Sequence, residues 1–287
     1  MPFYNHQRYL EESLQSILSQ TLPPNEILII DDGSTDGSYP LLEKYQRNHS
    51  NVRVLRNEVN RGIAFSFNRG VKEAMGKFVV VSPADDLLMP HFFESGRNAI
   101  LKYPEIGIFC GDCSVFQDRS PYQFRKVHFL PFDSETFLTT DDVIKFCRNS
   151  DFIIGTNSAI YRRDFVLKYG CYDNKLKSLM DTYLNYQIAL RHPTIYAPEV
   201  FSAFRQVPTS YGEKIRYDWK LRSQMCLEFI RKFDTSEDIS YKKSVMKAGM
   251  FSVGGLWMVF FLIYKPKFWT SLPFLIFKVI RQKLKRR

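Results

Sequence analysis

Two pairs of acids stand where apolar runs end. Ile27–Ile30 is followed by Asp31 and Asp32, then by the turn Gly33, Ser34, Thr35, Asp36, Gly37. About fifty residues later Phe78–Val81 leads through Ser82, Pro83 and Ala84 to Asp85 and Asp86. In a buried parallel strand the apolar run fills the core, so acids that follow it emerge at the strand's carboxyl end. Ligands of open α/β sheets bind at that edge. Two strands that each deliver acids to one rim predict a site that holds its ligand through a metal ion, a ribose or a base.

The elements that must position these acids follow from hydrophobic period and punctuation. Leu10, Leu14, Ile17 and Leu18 make a helical stripe over residues 7–20, stopped by Pro23 and Pro24. Strand 26–31, helix 39–48, strand 52–56, a loop at 57–62, helix 63–75, strand 77–82 and helix 90–102 follow. Strands alternating with helices of this length imply right-handed crossovers and a mostly parallel sheet. From Ile106 the alternation loosens. A strand at 106–116, an aromatic lid or acceptor platform around 117–140, helices at 141–149 and 181–191, and short strands near 194–197 and 200–206 complete the body.

The chain has 287 residues, enough for one sizeable α/β core and an appendage, and its 45% apolar content excludes a disordered protein. Its net charge of +10 is unevenly spread. After Asp238 there is no acid but there are eleven bases, so the remainder carries 29 bases against 30 acids. A neutral body with a cationic, apolar end argues against nucleic acid, which needs bases spread over a binding face. Ala248–Tyr264 is a run of 17 uncharged residues, and six bases lie in Lys278–Arg287. Seventeen is short for a spanning helix, whereas apolar surface beside bases suits a segment lying in a membrane interface. Residues 248–287 are therefore expected at a membrane surface. Five cysteines and no secretory signal predict a reduced, cytoplasmic setting. Cys110 and Cys113 have the spacing of half a zinc site, but they fall in an apolar strand and read as buried thiols. The run from Asp32 to Glu43 imitates a calcium loop. A strand rather than a helix precedes it and Pro40 interrupts it.

Taken in order, Pro2, Phe3, Tyr4 and Asn5, the acid turn Asp31–Gly37, Asn60, Arg61 and Gly62, Asn68, and Asp85 with Asp86 ahead of Pro90 resemble the family 2 glycosyltransferases of the GT-A fold. Gly170–Asp173, Asp181–Leu184 with Arg191, and Phe204–Ser210 resemble the family's later segments. The resemblance covers residues 1–212. It implies an α/β, Rossmann-like GT-A domain over that span; the tail at 213–287, which it does not cover, is expected to be helical and membrane-associating from its own apolar and basic sequence.

The family's roles carry over by position. Pro2, Tyr4, Asn5, Asp32, Asn60, Gly62 and Asn68 would line the nucleotide site, with Asp32 accepting the imide hydrogen bond of a uracil or thymine base. Arg205 would pair with the diphosphate. Asp85, supported by Asp86, would bind Mn²⁺ or Mg²⁺ to compensate the leaving diphosphate. Asp181 would act as general base on an acceptor hydroxyl, giving inversion at the anomeric carbon. The implied function is transfer from a UDP- or dTDP-sugar to a glycan or lipid-linked acceptor, in surface polysaccharide assembly at the cytoplasmic face of the membrane. Three positions depart from the family. Its apolar strand ahead of the Pro-Phe-Tyr-Asn element would precede Met1, Pro83 replaces the first metal-site acid, and Met180 replaces the acid beside Asp181. These departures favour the alternative of a catalytically silent nucleotide-sugar-binding or scaffold protein.

Overall fold

The structure, a computed structural model, describes residues 1–118, 122–150, 152–207 and 218–249, with 262, 263, 276 and 280. The chain forms two compact units interleaved along the sequence. The first holds residues 1–137, 154–172 and 194–207, and the second holds 138–153, 173–193 and 208–287. The expected boundary at 212 and nearly all of the expected membrane segment 248–287 lie outside the described residues. Among the described residues no helix is long and apolar enough to cross a membrane.

In the first unit β1 (Pro2–Phe3), β2 (Ile27–Asp31) and β3 (Val52–Arg56) form a parallel sheet in that order. Its crossovers are α1 (Gln7–Leu18) and α2 (Ser38–Asn48). The α1 stripe buries Leu10, Leu14 and Ile17, and β2 buries Ile27, Ile29 and Ile30. Register places Asp31 between Phe3 and Arg56, so the first acid pair sits at the carboxyl edge of this sheet. Beside β1 lies an apolar cavity of about 710 Å³, lined by Met1, Leu28, Val80, Phe93 and Ile160 among others.

After α3 (Ile63–Glu73) the chain enters a second sheet through β4 (Phe78–Val80) and β5 (Leu87–Leu88), followed by α4 (Phe92–Lys102). Its other strands are β6 (Ile108–Gln117), β7 (Arg125–Val127), β8 (Thr136–Leu138), β9 (Ala159–Arg162) and β10 (Thr194–Gln206). The order is β4-β9-β6-β10-β5, with β7 on β6 and β8 on β10. This sheet is mixed rather than mostly parallel. Strands β6 and β10 pair in parallel, while β4–β9, β6–β9, β6–β7 and β5–β10 run antiparallel. The helical crossovers that enforce parallel pairing are concentrated in the first half of the chain. The two short strands expected at 194–197 and 200–206 are one strand, β10, whose register shifts between Ala197 and Val200. Such a shift bends a strand without ending it. Cys110 and Cys113 are free and buried within β6, and burial pushes the Cys113 thiol up to about 11.

Helix α6 (Arg163–Lys168) belongs to the first unit; the second contains α5 (Thr140–Asn149), α7 (Met180–Ala189), α8 (Trp219–Thr235) and α9 (Ile239–Ala248). Thr139 and Asp142 cap α5 reciprocally, satisfying two N-terminal donors.

The core of the first unit turns on an aromatic group in which Phe201 stacks on Phe92 at 5.1 Å and meets Phe109 at 5.3 Å. Gly111 on β6 makes room for it. A Cβ there would stand 2.5 Å from the Phe201 ring and 2.6 Å from the Ala197 carbonyl. Backbone on one side and a packed ring on the other leave nothing to yield. Gly111→Ala should therefore lower unfolding free energy by about 1–3 kcal/mol in urea titrations; an unchanged midpoint would contradict this packing.

Candidate active site

Asp31 closes β2 by accepting Ser34 N at 3.0 Å and pairing with Arg56 Nε at 3.2 Å. Arg56 also donates to Ser34 O and lies over the Tyr39 ring. The turn is clamped from the other side by Asn5, which has a positive φ of 51°. Its backbone N donates to Ser34 Oγ at 3.0 Å and its Oδ1 accepts Thr35 N at 2.8 Å. Asn is one of the few residues that tolerate this conformation. Tyr4, beside it, is 39% exposed, an open aromatic face at the carboxyl edge of β1.

Asp32 is buried, and its carboxylate gathers the next loop. Oδ1 accepts Asn57 Nδ2 at 2.6 Å and Arg61 N at 3.0 Å, and Oδ2 accepts Gly62 N at 2.7 Å. Asn60 Oδ1 shares the Gly62 N–H at 2.9 Å. Gly62 has φ +88°, the left-handed region that favours glycine. Sequence reading places Asp32, Asn60 and Gly62 at one site, and the structure brings them together. A carboxylate offers about four acceptor positions, so Asp32 keeps one beyond these three bonds.

Asn68 is engaged elsewhere. Its Nδ2 donates to Tyr172 O and its Oδ1 accepts Tyr172 N, both at 2.8 Å, while Phe67 stacks on the Tyr172 ring. Both ends of the amide are used to fasten the 170–173 segment to α3, rather than being directed to a nucleotide.

The second acid pair divides. The Asp85 side chain is 24% exposed. Asp86 is buried, with Oδ1 accepting Arg205 N at 2.9 Å and Oδ2 accepting Asn157 Nδ2 at 2.8 Å. Burial, reinforced by the neighbouring Asp85 charge, pushes the Asp86 carboxyl up to about 7. Of the two acids expected on a metal, Asp85 alone presents its carboxylate outward. Asp86 ties the loop to β10 and to Asn157. A carboxylate, water and diphosphate oxygens suit Mn²⁺ or Mg²⁺. Among the described residues no group of three or more acids, histidines or cysteines forms a complete metal cage, so the fit is to an ion that shares its shell with the ligand.

Arg205 corrects its sequence reading. The guanidinium expected on a diphosphate is 1% exposed and points into the protein. Nε donates to Asp85 O at 2.8 Å, one terminal nitrogen to Asp118 Oδ1 at 2.8 Å and Tyr122 OH at 3.1 Å, and the other to Glu12 Oε2 at 2.6 Å. The rings of Tyr9, Phe116 and Tyr122 surround it at 4.6–5.2 Å. A buried guanidinium requires such pairing, because an unpartnered one would forfeit its hydration. Sequence reading missed Glu12, Asp118, Tyr122 and Asn157. Only Glu12 left a usable signal, since it lies on the face of α1 shared with Arg8 and Tyr9.

Asp181 belongs to the second unit, in the first turn of α7, where Oδ1 accepts Thr182 N at 2.6 Å. The segment before it contains Lys177 at φ 49°, ψ −120°, a conformation that non-glycine residues rarely hold.

A strand-edge acid turn, a carboxylate-pinned loop and an outward acid stand together in one α/β unit. The family model "Glycosyl transferase family 2" matches residues 1–170, and the chain belongs to that family. It is 29% identical over 144 residues to the putative teichuronic acid biosynthesis glycosyltransferase TuaG of Bacillus subtilis, an alignment covering 50% of this chain and 55% of that one. The chain thus spans about half the length of that relative. Among solved structures, S. aureus TarS 1-349 in complex with UDP-GlcNAc superposes with a TM-score of 0.67 at 18% identity, over 87% of this chain and 69% of that one. The mannosyltransferase PcManGT of Pyrobaculum calidifontis, in complex with GDP-Man and Mn²⁺, gives 0.58 at 16% identity, over 100% and 90%. At these identities the likeness establishes the fold.

The raised Asp86 pKa has a thermodynamic sign. A carboxyl that titrates near 7 when folded and near 3.8 when unfolded holds more protons in the folded state between those values. Its contribution to stability therefore falls as pH rises from about 4 to about 7, by at most about 1.4 kcal/mol per pH unit. Asp86→Asn should gain on wild type progressively across that window in unfolding titrations, and parallel pH curves would refute the assignment.

Proposed function

We propose that this protein transfers a sugar from a nucleotide-diphospho-sugar to a hydroxyl of a glycan or lipid-linked acceptor, with inversion at the anomeric carbon. The observation that carries the reading is the pairing, in one unit, of the Asp32-pinned loop with the outward Asp85 carboxylate. The spare acceptor position of Asp32 suits the imide N–H of a uracil or thymine, and the exposed Tyr4 ring suits stacking on the base. Asp85 would hold Mn²⁺ or Mg²⁺, which supplies charge compensation for the departing diphosphate when bound. Arg205 acts from behind, fixing the Asp85 main chain. Asp181 would take the acceptor proton as the hydroxyl oxygen bonds to the anomeric carbon and the nucleoside diphosphate leaves with the bonding pair.

The name of the teichuronic acid relative supports an acceptor in surface polysaccharide assembly. The eleven bases after Asp238, beside apolar sequence, support action at the cytoplasmic face of a membrane, held peripherally by residues 248–287.

Calorimetry with UDP, dTDP and GDP, each with Mn²⁺, tests the donor site. One nucleotide should bind in a metal-dependent way to wild type and lose that dependence in Asp85→Ala; binding of none would refute the reading. Asp181→Asn should keep nucleotide affinity and lose about 10²–10⁴-fold in transfer rate. Binding without transfer by wild type would identify a silent binding protein instead. For the tail, wild type should sediment with vesicles containing anionic lipid and be released by high salt, whereas a chain ending at Asp238 should stay in the supernatant. Equal sedimentation of both would remove the membrane assignment.

A further inference from the structure

Asp85 is short of protein company at the cation position. Pro83 removes one acid from the motif, and Asp86 is turned inward. Beside its carboxylate stands His6, whose Nδ1 lies 3.9 Å from Asp85 Oδ2. That separation is too long for a hydrogen bond. His6 Nδ1 is nevertheless buried and has no hydrogen-bond partner. Such an atom calls for an explanation, and a role in holding an ion is one of the recognised ones. Two donors that each stand about 2.1 Å from one ion are at most about 4.2 Å apart, and 3.9 Å falls inside that span.

Both groups are also held in place. His6 is the N-cap residue of α1. Before it, Asn5 is fastened to Ser34 and Thr35; after it, Gln7 N donates to Asp36 Oδ2 at 2.9 Å. The acid turn thus grips the backbone on either side of the imidazole. Asp85 is fixed through its carbonyl by Arg205 Nε. Ligands anchored through their own backbones bind with little reorganisation.

We infer that His6 is the second protein ligand, beside Asp85, of the divalent cation that binds with the nucleotide diphosphate. This rests on the donor site proposed above. The imidazole nitrogen supplies a donor in place of the acid that Pro83 lacks, and leaves the rest of the shell to diphosphate and water. Nitrogen ligation favours a transition ion over Mg²⁺, so the site prefers Mn²⁺, and His6→Ala narrows that preference.

Pulsed electron paramagnetic resonance on the full chain with Mn²⁺ and the nucleotide selected by calorimetry tests this directly. Wild type should show nitrogen modulation of the manganese echo that changes when its histidines are labelled with ¹⁵N. The modulation should vanish in His6→Ala, with Mn²⁺ affinity at least about tenfold weaker. Nucleotide-dependent Mn²⁺ binding with no histidine signal in labelled wild type would overturn the inference and leave the donor site standing. So would a signal that survives in His6→Ala. No Mn²⁺ or nucleotide binding by wild type would overturn both. The labelled wild-type spectrum decides the matter even if the variant folds poorly.

Discussion

The first unit depends on burying one guanidinium. Arg205 cannot sit 1% exposed unless its donors are met, and the groups that meet them come from well-separated parts of the chain: Glu12 on α1, the Asp85 carbonyl after β4, Asp118 beyond β6, and Tyr122. Each partner is thereby told where to stand. The backbone N of the same residue holds Asp86, so one position on β10 fixes both acids of the loop. Replacing such a network with apolar side chains is often tolerated, whereas removing one member strands the others.

The same logic recurs in smaller form. Asp32 organises three donors from the 57–62 loop, and Asn68 holds both main-chain groups of Tyr172. Asp112, buried in β6, is met by the Phe129 N–H, the Tyr196 hydroxyl and the His128 imidazole. In each case a buried or half-buried polar side chain ties separate segments of the chain together. Loops whose own backbone groups lack a ladder are held in this way. The outward Asp85 stands on backbone that Arg205 has fixed, and the outward Tyr4 stands beside Asn5, which the acid turn holds.

Much of this was legible beforehand because it follows from period and punctuation. The α1 stripe and β2 with its terminal acids appear where local pattern puts them, and the loop shared by Asp32, Asn60 and Gly62 appears where the family resemblance puts it. Direction was not legible. Motif and spacing identify Arg205, Asp86 and Asn68 as special without saying whether their polar ends face the ligand or the protein. That choice is made by residues distant in sequence, such as Glu12 for Arg205 and Tyr172 for Asn68. The mixed second sheet was hidden for a similar reason. Pairing of β9 with β4 and β6 is non-local, and the shift at Ala197–Val200 makes one strand look like two.

The Arg205–Glu12 bond spans 193 residues of sequence, which bears on how the protein is made. On a ribosome adding about 5–20 residues per second, α1 is complete at least several seconds before β10 appears. Until then Glu12 and Asp118 wait without their cation, and the loop carrying Asp85 lacks the bond that anchors its carbonyl. A nascent chain that already contains the whole family-matched stretch, residues 1–170, is therefore still without the bond that fixes the Asp85 loop. Competence arrives late and at one position, when residue 205 leaves the exit tunnel and locks what was translated first.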